Sequence, residues 1–303
     1  MLNEKNSAKI SRNSKLLIVL TAFLTILYFL SFTKSCASKD TREKVKTALV
    51  NPKYKETITG FELLDATGSL TIRNEGSFWT VSRNDNSTTT LPASPERIQN
   101  LLEKLTTIRN LYKISDKIGQ NSSFGLTNGT EFHLRYNTNE GFHELIFGNQ
   151  DFSLSSRYMM TEKSTQVYET DNSLDTFLTT SVQSWAEPFI ISQTVLGKIT
   201  AQDVQRSQVS DIQKLLDLRH GGLPEAEDLE FLQAHSQLPD TVIILELGNK
   251  HEIELKIYES KSAGENEFIV LTEYKKDKGE APVYKSASKI SSWTYNKIKE
   301  ITL

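Results

Sequence analysis

Cysteine is almost missing from this 303-residue chain: its single copy, Cys36, stands at the edge of the only long apolar run. Disulfides, cysteine-ligated metals and a thiol nucleophile are therefore excluded from everything beyond it. Histidine is scarce too, and none of the five (His133, His143, His220, His235, His251) has the i,i+4 spacing of a helical zinc site. The chain has no Gly-x-Ser-x-Gly elbow, no P-loop and no Gly-x-Gly-x-x-Gly turn. It also lacks a basic surplus. Of 35 Lys and Arg and 38 Asp and Glu, the first 36 residues hold five bases and one acid, which leaves the remainder with seven more acids than bases. Dispersed, mildly acidic charge argues against a phosphate-tracking nucleic-acid surface and reads as a solvated exterior. These absences imply a non-enzymatic protein without cofactor, metal or nucleic-acid partner, and no catalytic or binding residue is assigned.

What the chain does have is Leu16–Thr33, LLIVLTAFLTILYFLSFT, 18 residues without a charge between Lys15 and Lys34. As a helix it approaches the ~30 Å hydrocarbon thickness of a bilayer. A cleaved signal peptide would use Lys5, Lys9, Arg12 and Lys15 as its basic region and Ser35 with Ala37 near the cut, but the run is long for one. A lipoprotein would modify Cys36, and Lys34 so close before it is a poor match. The reading adopted is an uncleaved signal anchor: residues 1–15 a basic tail, 16–33 a single transmembrane helix, 34–56 a juxtamembrane linker. Charge does not orient it, because four bases precede the span while Lys34, Lys39, Arg42, Lys44 and Lys46 follow it. Long domains translocate largely regardless of charge. The expected location is the inner membrane, with the large C-terminal part outside the cytoplasm.

The rest reads as two strand-rich α+β modules, residues 57–190 and 191–303, each an antiparallel sheet with packed helices. Phe61 and Leu63, Leu70 and Ile72, then Trp79 and Val81 recur at period two, the mark of half-buried strands. A polar loop spans Asn84–Thr90. Ser94 as N-cap, Pro95 at the first position and Glu96 in the first turn open a helix expected over Pro95–Leu111. Its apolar stripe is Ile98, Leu101, Leu102, Leu105 and Ile108. Strands follow at Glu131–Tyr136, Phe142–Phe147, Arg157–Thr161 and Gln166–Glu169, then a short helix over Ser173–Leu178. The second module repeats this ending with Thr241–Leu247 and Glu252–Tyr258 across Gly248-Asn249, then Phe268–Tyr274, Pro282–Lys285 and a helix over Ser291–Ile301. Val167-Tyr168 recurs as Val283-Tyr284, and Thr161-Glu162 as Thr272-Glu273. Between the modules, Asp211–Leu218 has helical spacing, stopped by Gly221-Gly222, with an edge strand over Asp211–His220 as the alternative. Pro224 and Glu225 open a further helix.

His133 and His143 lie on adjacent strands, but with Thr138-Asn139 as the turn Leu134 opposes His143 and His133 opposes Glu144. The two imidazoles then point to opposite faces, and only a one-residue slip would make them a metal pair. Glu225, Glu227 and Asp228 read as helix-start acids. Trp79, Trp185 and Trp293 each fall on an apolar pattern and are expected in the core.

Phe61-Glu62-Leu63, Phe78-Trp79-Thr80-Val81, Leu91-Pro92-Ala93-Ser94-Pro95 running into Ile98, Phe124-Gly125-Leu126, Ile146-Phe147-Gly148 and Val167-Tyr168 together resemble the bacterial family called domain of unknown function 4340. The resemblance covers roughly Ile58 to Phe189, with a weaker second copy to the C-terminus. It implies a membrane anchor with an exported domain, and association with ABC-transport components of the gliding type. It brings no catalytic motif. The expected function is a membrane-anchored accessory subunit of such a transport complex, acting through protein–protein contacts. The alternative is a small-molecule or glycan-binding module with its ligand between the two halves.

Overall fold

A computed structural model describes residues 12–35, 42–84, 89–116, 122–127, 129–161, 164–236, 238–262 and 265–302. The tail over residues 1–11, Cys36 and most of the loop expected after Asn84 lie outside them. The chain forms two compact units, Met1–Glu43 and Lys44–Leu303.

In the first unit, α1 spans Arg12–Ser35. Its described side chains are Lys15, residues 17–26 and Tyr28, and all are exposed. Among the described residues no helix is long and apolar enough to cross a membrane.

The second unit is α+β, and its described strands form two antiparallel sheets. The larger, ten-stranded sheet contains β1 (Lys44–Thr47), β2 (Gly60–Asp65), β3 (Gly68–Asn74), β4 (Trp79–Arg83), β5 (Leu91–Pro92), β6 (Arg109–Ser115), β7 (Phe132–Thr138), β8 (Gly141–Gln150), β9 (Ser156–Thr161) and β10 (Val167–Asp171). Its order is β1-β6-β10-β9-β8-β7-β2-β3-β4-β5. Alternation puts Phe61, Leu63, Leu70, Ile72, Leu134 and Leu145 on one face, which α2 (Pro95–Thr106) covers with Ile98, Leu101 and Leu105. Leu174 and Phe177 of a 3-10 helix over Asn172–Phe177, and Trp185 of α3 (Val182–Trp185), complete this core. The opposite face carries Glu62, Arg135 and Glu144, with Arg135 2.6 Å from Glu144 and 3.3 Å from Glu62.

The smaller sheet runs β11 (Val204–Ser207), β12 (Thr241–Leu247), β13 (Glu252–Ser262), β14 (Glu265–Lys275) and β15 (Tyr284–Ile290) in sequence order. Its apolar face, with Ile243, Leu245, Ile253, Leu255, Ile257 and Val270, builds a second core with α4 (Ile212–Leu216) and α6 (Ser292–Ile301). On the other side α5 (Ala226–His235) reaches β13, and Tyr258 Oη donates to the carbonyl of Ser236 at 3.0 Å.

Several expectations need correction. Residues 44–47, expected within a linker, pair with β6, and Val50 is fully buried beyond them. The helix from Pro95 stops at Thr106 rather than Leu111. Thr107 turns extended, Arg109 bonds back to the Lys104 carbonyl, and the chain enters β6 between β1 and β10. Ile108 is consequently exposed. The β7–β8 hairpin turns at Asn139-Glu140, so Leu134 faces Leu145 and His143 faces Tyr136, two residues from the expected register. An even slip preserves the faces, and the two imidazoles still lie on opposite sides. The Gly248-Asn249 hairpin closes by a longer loop, with the positive φ at Lys250. Asp211–Leu218 contains α4 and not the edge strand, and the helix ends before Gly221-Gly222. Trp293 faces solvent. α6 turns Thr294, Tyr295, Ile298 and Ile301 inward, and Trp293, five positions before Ile298, cannot share their side.

Candidate functional site

In the second unit a cleft of about 800 Å³ lies between the two sheets with their attached helices. One wall begins at the β2–β3 turn. Asp65 ends β2, and its Oδ1 accepts from Thr67 N at 2.7 Å, Thr67 Oγ1 at 2.6 Å and Gly68 N at 3.0 Å, the bonding that makes Asp a turn former. Thr180 Oγ1, from the segment between the 3-10 helix and α3, also donates to this carboxylate, at 3.1 and 3.2 Å. Burial pushes the Asp65 carboxyl up, but the bonds from Thr67, Thr180 and Gly68 outweigh it and hold the group below the usual range.

The facing wall is built on Gly221 and Gly222. Gly221 N donates to the Lys289 carbonyl at 2.7 Å, and Lys289 N donates to the Gly222 carbonyl at 2.9 Å, which fastens this segment along β15. Gln183 Nε2 of α3 donates to the Gly221 carbonyl and joins the walls. Gly222 has φ +127°, and a Cβ there would press on the Gln183 side chain at 3.2 Å, so both backbone and space call for glycine. Arg83 closes one end with two bonds to Glu225, 2.7 and 3.0 Å. Lys289 is held by Glu267 at 2.9 Å and Asp228 at 3.3 Å. Asp228 also accepts from Glu225 N at 2.8 Å and so caps α5.

The cleft can therefore offer hydroxyls, amides and backbone groups, with Arg83, Glu225 and Lys289 in ion pairs and Asp65 held by hydroxyl and amide donors. Its lining has no histidine or cysteine and thus no group that ordinarily titrates near neutrality. Sequence reasoning missed these residues. The turn at Asp65 and the double glycine are visible locally, but only the packing of two distant segments makes them walls of one cavity.

A second polar group lies buried where the chain passes from one core to the other. Glu187 is almost fully buried. Burial pushes its carboxyl above the usual range, partly offset by bonds from Ser192, Thr194 and Gln193 N. His220 Nε2 donates to the Glu187 carbonyl at 2.6 Å, and burial lowers the imidazole's pKa. Tyr274 accepts from Ser192 N at 2.7 Å and Tyr284 meets Thr90 at 2.9 Å, both phenols pushed up by burial. This cluster positions the crossing segment.

The other histidines sit apart. His133 meets Glu144 at 2.9 Å on the polar sheet face, His143 stacks on Tyr136 at 5.0 Å, His235 bonds within α5, and His251 lies in the β12–β13 loop. Among the described residues no group of three or more His, Cys, Asp or Glu is placed to hold a metal ion. Trp185 is fully buried, Trp79 packs against the first core, and Trp293 is exposed.

The sequence model of the family described as Domain of unknown function (DUF4340) matches residues 79–242. That span takes in α2, both walls of the cleft in part and the crossing segment. Neither a curated protein nor a solved structure matches the chain.

Proposed function

The chain belongs to the DUF4340 family, and from that premise we propose a non-enzymatic envelope protein, anchored in the inner membrane by α1, that serves as accessory subunit of an ABC-type transport complex through protein–protein contacts. The carrying observation is the uncharged run Leu16–Thr33, which falls wholly within the helix Arg12–Ser35 and whose described side chains, apolar apart from Thr21, Thr25 and Tyr28, are all exposed. Taken as a helix, its 18 uncharged residues approach the ~30 Å hydrocarbon thickness of a bilayer. An apolar face of that extent needs lipid or protein around it. The unit beyond it is taken to lie outside the cytoplasm as two related modules. In support, each of its sheets ends in four consecutive antiparallel strands followed by a helical segment, with Val167-Tyr168 and Val283-Tyr284 at corresponding strand starts.

Two experiments test this. Purification in mild detergent should retain transporter subunits, and a protein that elutes alone speaks against the accessory role. Protease should degrade the large unit in spheroplasts of a two-membrane bacterium while intact cells protect it. A mature N-terminus at Ser38, or resistance until the inner membrane is broken, would sink the anchor and its orientation.

The cleft favours a second reading, capture of a small polar molecule between the halves. Its balanced charges suit a neutral ligand. A lone protein that elutes with such a molecule bound would favour this reading over the first.

A further inference from the structure

Trp293 is the one tryptophan the fold turns outward, with 65 % of its surface exposed, and it does not stand alone. Lys297, one turn along α6, holds its Nζ 5.9 Å from the ring centroid. Across from them α4 and its flanks close a shallow cavity of about 450 Å³, lined by Asp211, Gln213, Lys214, Asp217 and Leu218. The planar polar groups there are fixed. Asp211 Oδ1 accepts from Lys214 N at 3.0 Å as the cap of α4, and Gln213 Nε2 donates to Asp217 Oδ1 at 3.1 Å. Leu218, the remaining apolar wall, is itself buried.

We propose that this groove is a saccharide site, in which a neutral pyranose ring lies against Trp293. A sugar ring has one face of C–H groups and a rim of hydroxyls. It is recognised by an aromatic surface beside planar carboxylate and amide groups that accept and donate in fixed directions. The groove supplies one exposed ring, two oriented carboxylates and one amide. Charge selects against anions: Glu300 lies 2.7 Å from Lys297 and 3.6 Å from Lys214, so three carboxylates face two ammonium groups. A protein partner is disfavoured because interface centres depend on several apolar anchors, and Trp293 is the only exposed one in this lining. The site is separate from the cleft and does not depend on either reading above.

The test uses the full chain in detergent with soluble chitotriose and maltotriose as probes. Trp293 is exposed, Trp185 is buried and Trp79 is partly buried, so the share of iodide quenching that Trp293→Ala removes reports on Trp293. One trisaccharide should produce a saturable fluorescence change and protect against iodide. Trp293→Ala should abolish both while keeping the melting temperature, since an exposed side chain is lost. Asp217→Asn should weaken binding about tenfold, a loss of about 1.4 kcal/mol. Absence of a saturable change with either sugar, or the same change in Trp293→Ala, overturns the proposal. So does loss of a co-purifying protein in Trp293→Ala when neither sugar has an effect.

Discussion

Glu187 illustrates how a single residue sets a pH dependence. Its carboxyl is buried at the crossing between the cores and titrates above its unfolded value. Between those two values the folded state holds more protons than the unfolded one, so stability falls as pH rises across the interval. The contribution is complete below the unfolded pKa of about 4.3 and gone once pH passes the folded one. Glu187→Gln keeps an acceptor for Gln193 N and removes the titration. The variant should therefore melt above the natural protein at pH 8 and lose that advantage near pH 4. Thermal unfolding at both values decides, and an equal difference at both would refute the assignment. The sequence shows Glu187 only as an acid beside Pro188, because its burial comes from segments far away in the chain. Trp293 taught the converse. Its apolar neighbours suggested a core position, yet counting helical positions back from Ile298 places it on the outer side.

Elements differ in how far local chemistry determines them. The start of α2 was readable, since Ser94 caps it, accepting from Arg97 N at 3.4 Å, and Pro95 follows at the first position. Its end was not. The stop depends on Arg109 folding back to Lys104, Asp171 and Ser173, and on β1 and β10 being present to pair with β6. Pairing with distant strands likewise kept β1 and β6 hidden, whereas the hairpin of β12 and β13 announced itself by alternation. Leu101 and Leu105 are fully buried beneath α2, and truncating either to alanine should cost ~2–5 kcal/mol. Ile108→Ala should leave the melting temperature nearly unchanged, because that side chain lies beyond the helix and in solvent. If Leu101→Ala and Leu105→Ala leave stability intact and abolish co-purification, the stripe is a docking surface instead.

At the scale of the whole molecule, composition and strand spacing indicated two strand-rich halves, but they did not indicate that the halves are fastened together. Interfaces between domains of one chain are commonly polar and loose, which lets each half unfold alone. Here the fastening is partly buried. Phe78, just before β4, packs with the second core and meets Tyr284 edge-on at 5.0 Å, while Leu223, just before α5, belongs to the first. Thr90 bonds Tyr284, and Arg83 bonds Glu225. Residues from Lys44 onward form one compact unit accordingly. Calorimetry of the full chain should therefore give a single transition for this unit, with calorimetric and van't Hoff enthalpies equal. Phe78→Ala supplies the discriminating measurement. It removes an aromatic contact worth ~0.5–1.5 kcal/mol beyond its burial and leaves a gap against the second core. With cooperative halves the whole transition moves down without broadening. If instead two transitions separate, and Phe78→Ala shifts only one of them, the halves are independent bodies and the cleft between them is free to open.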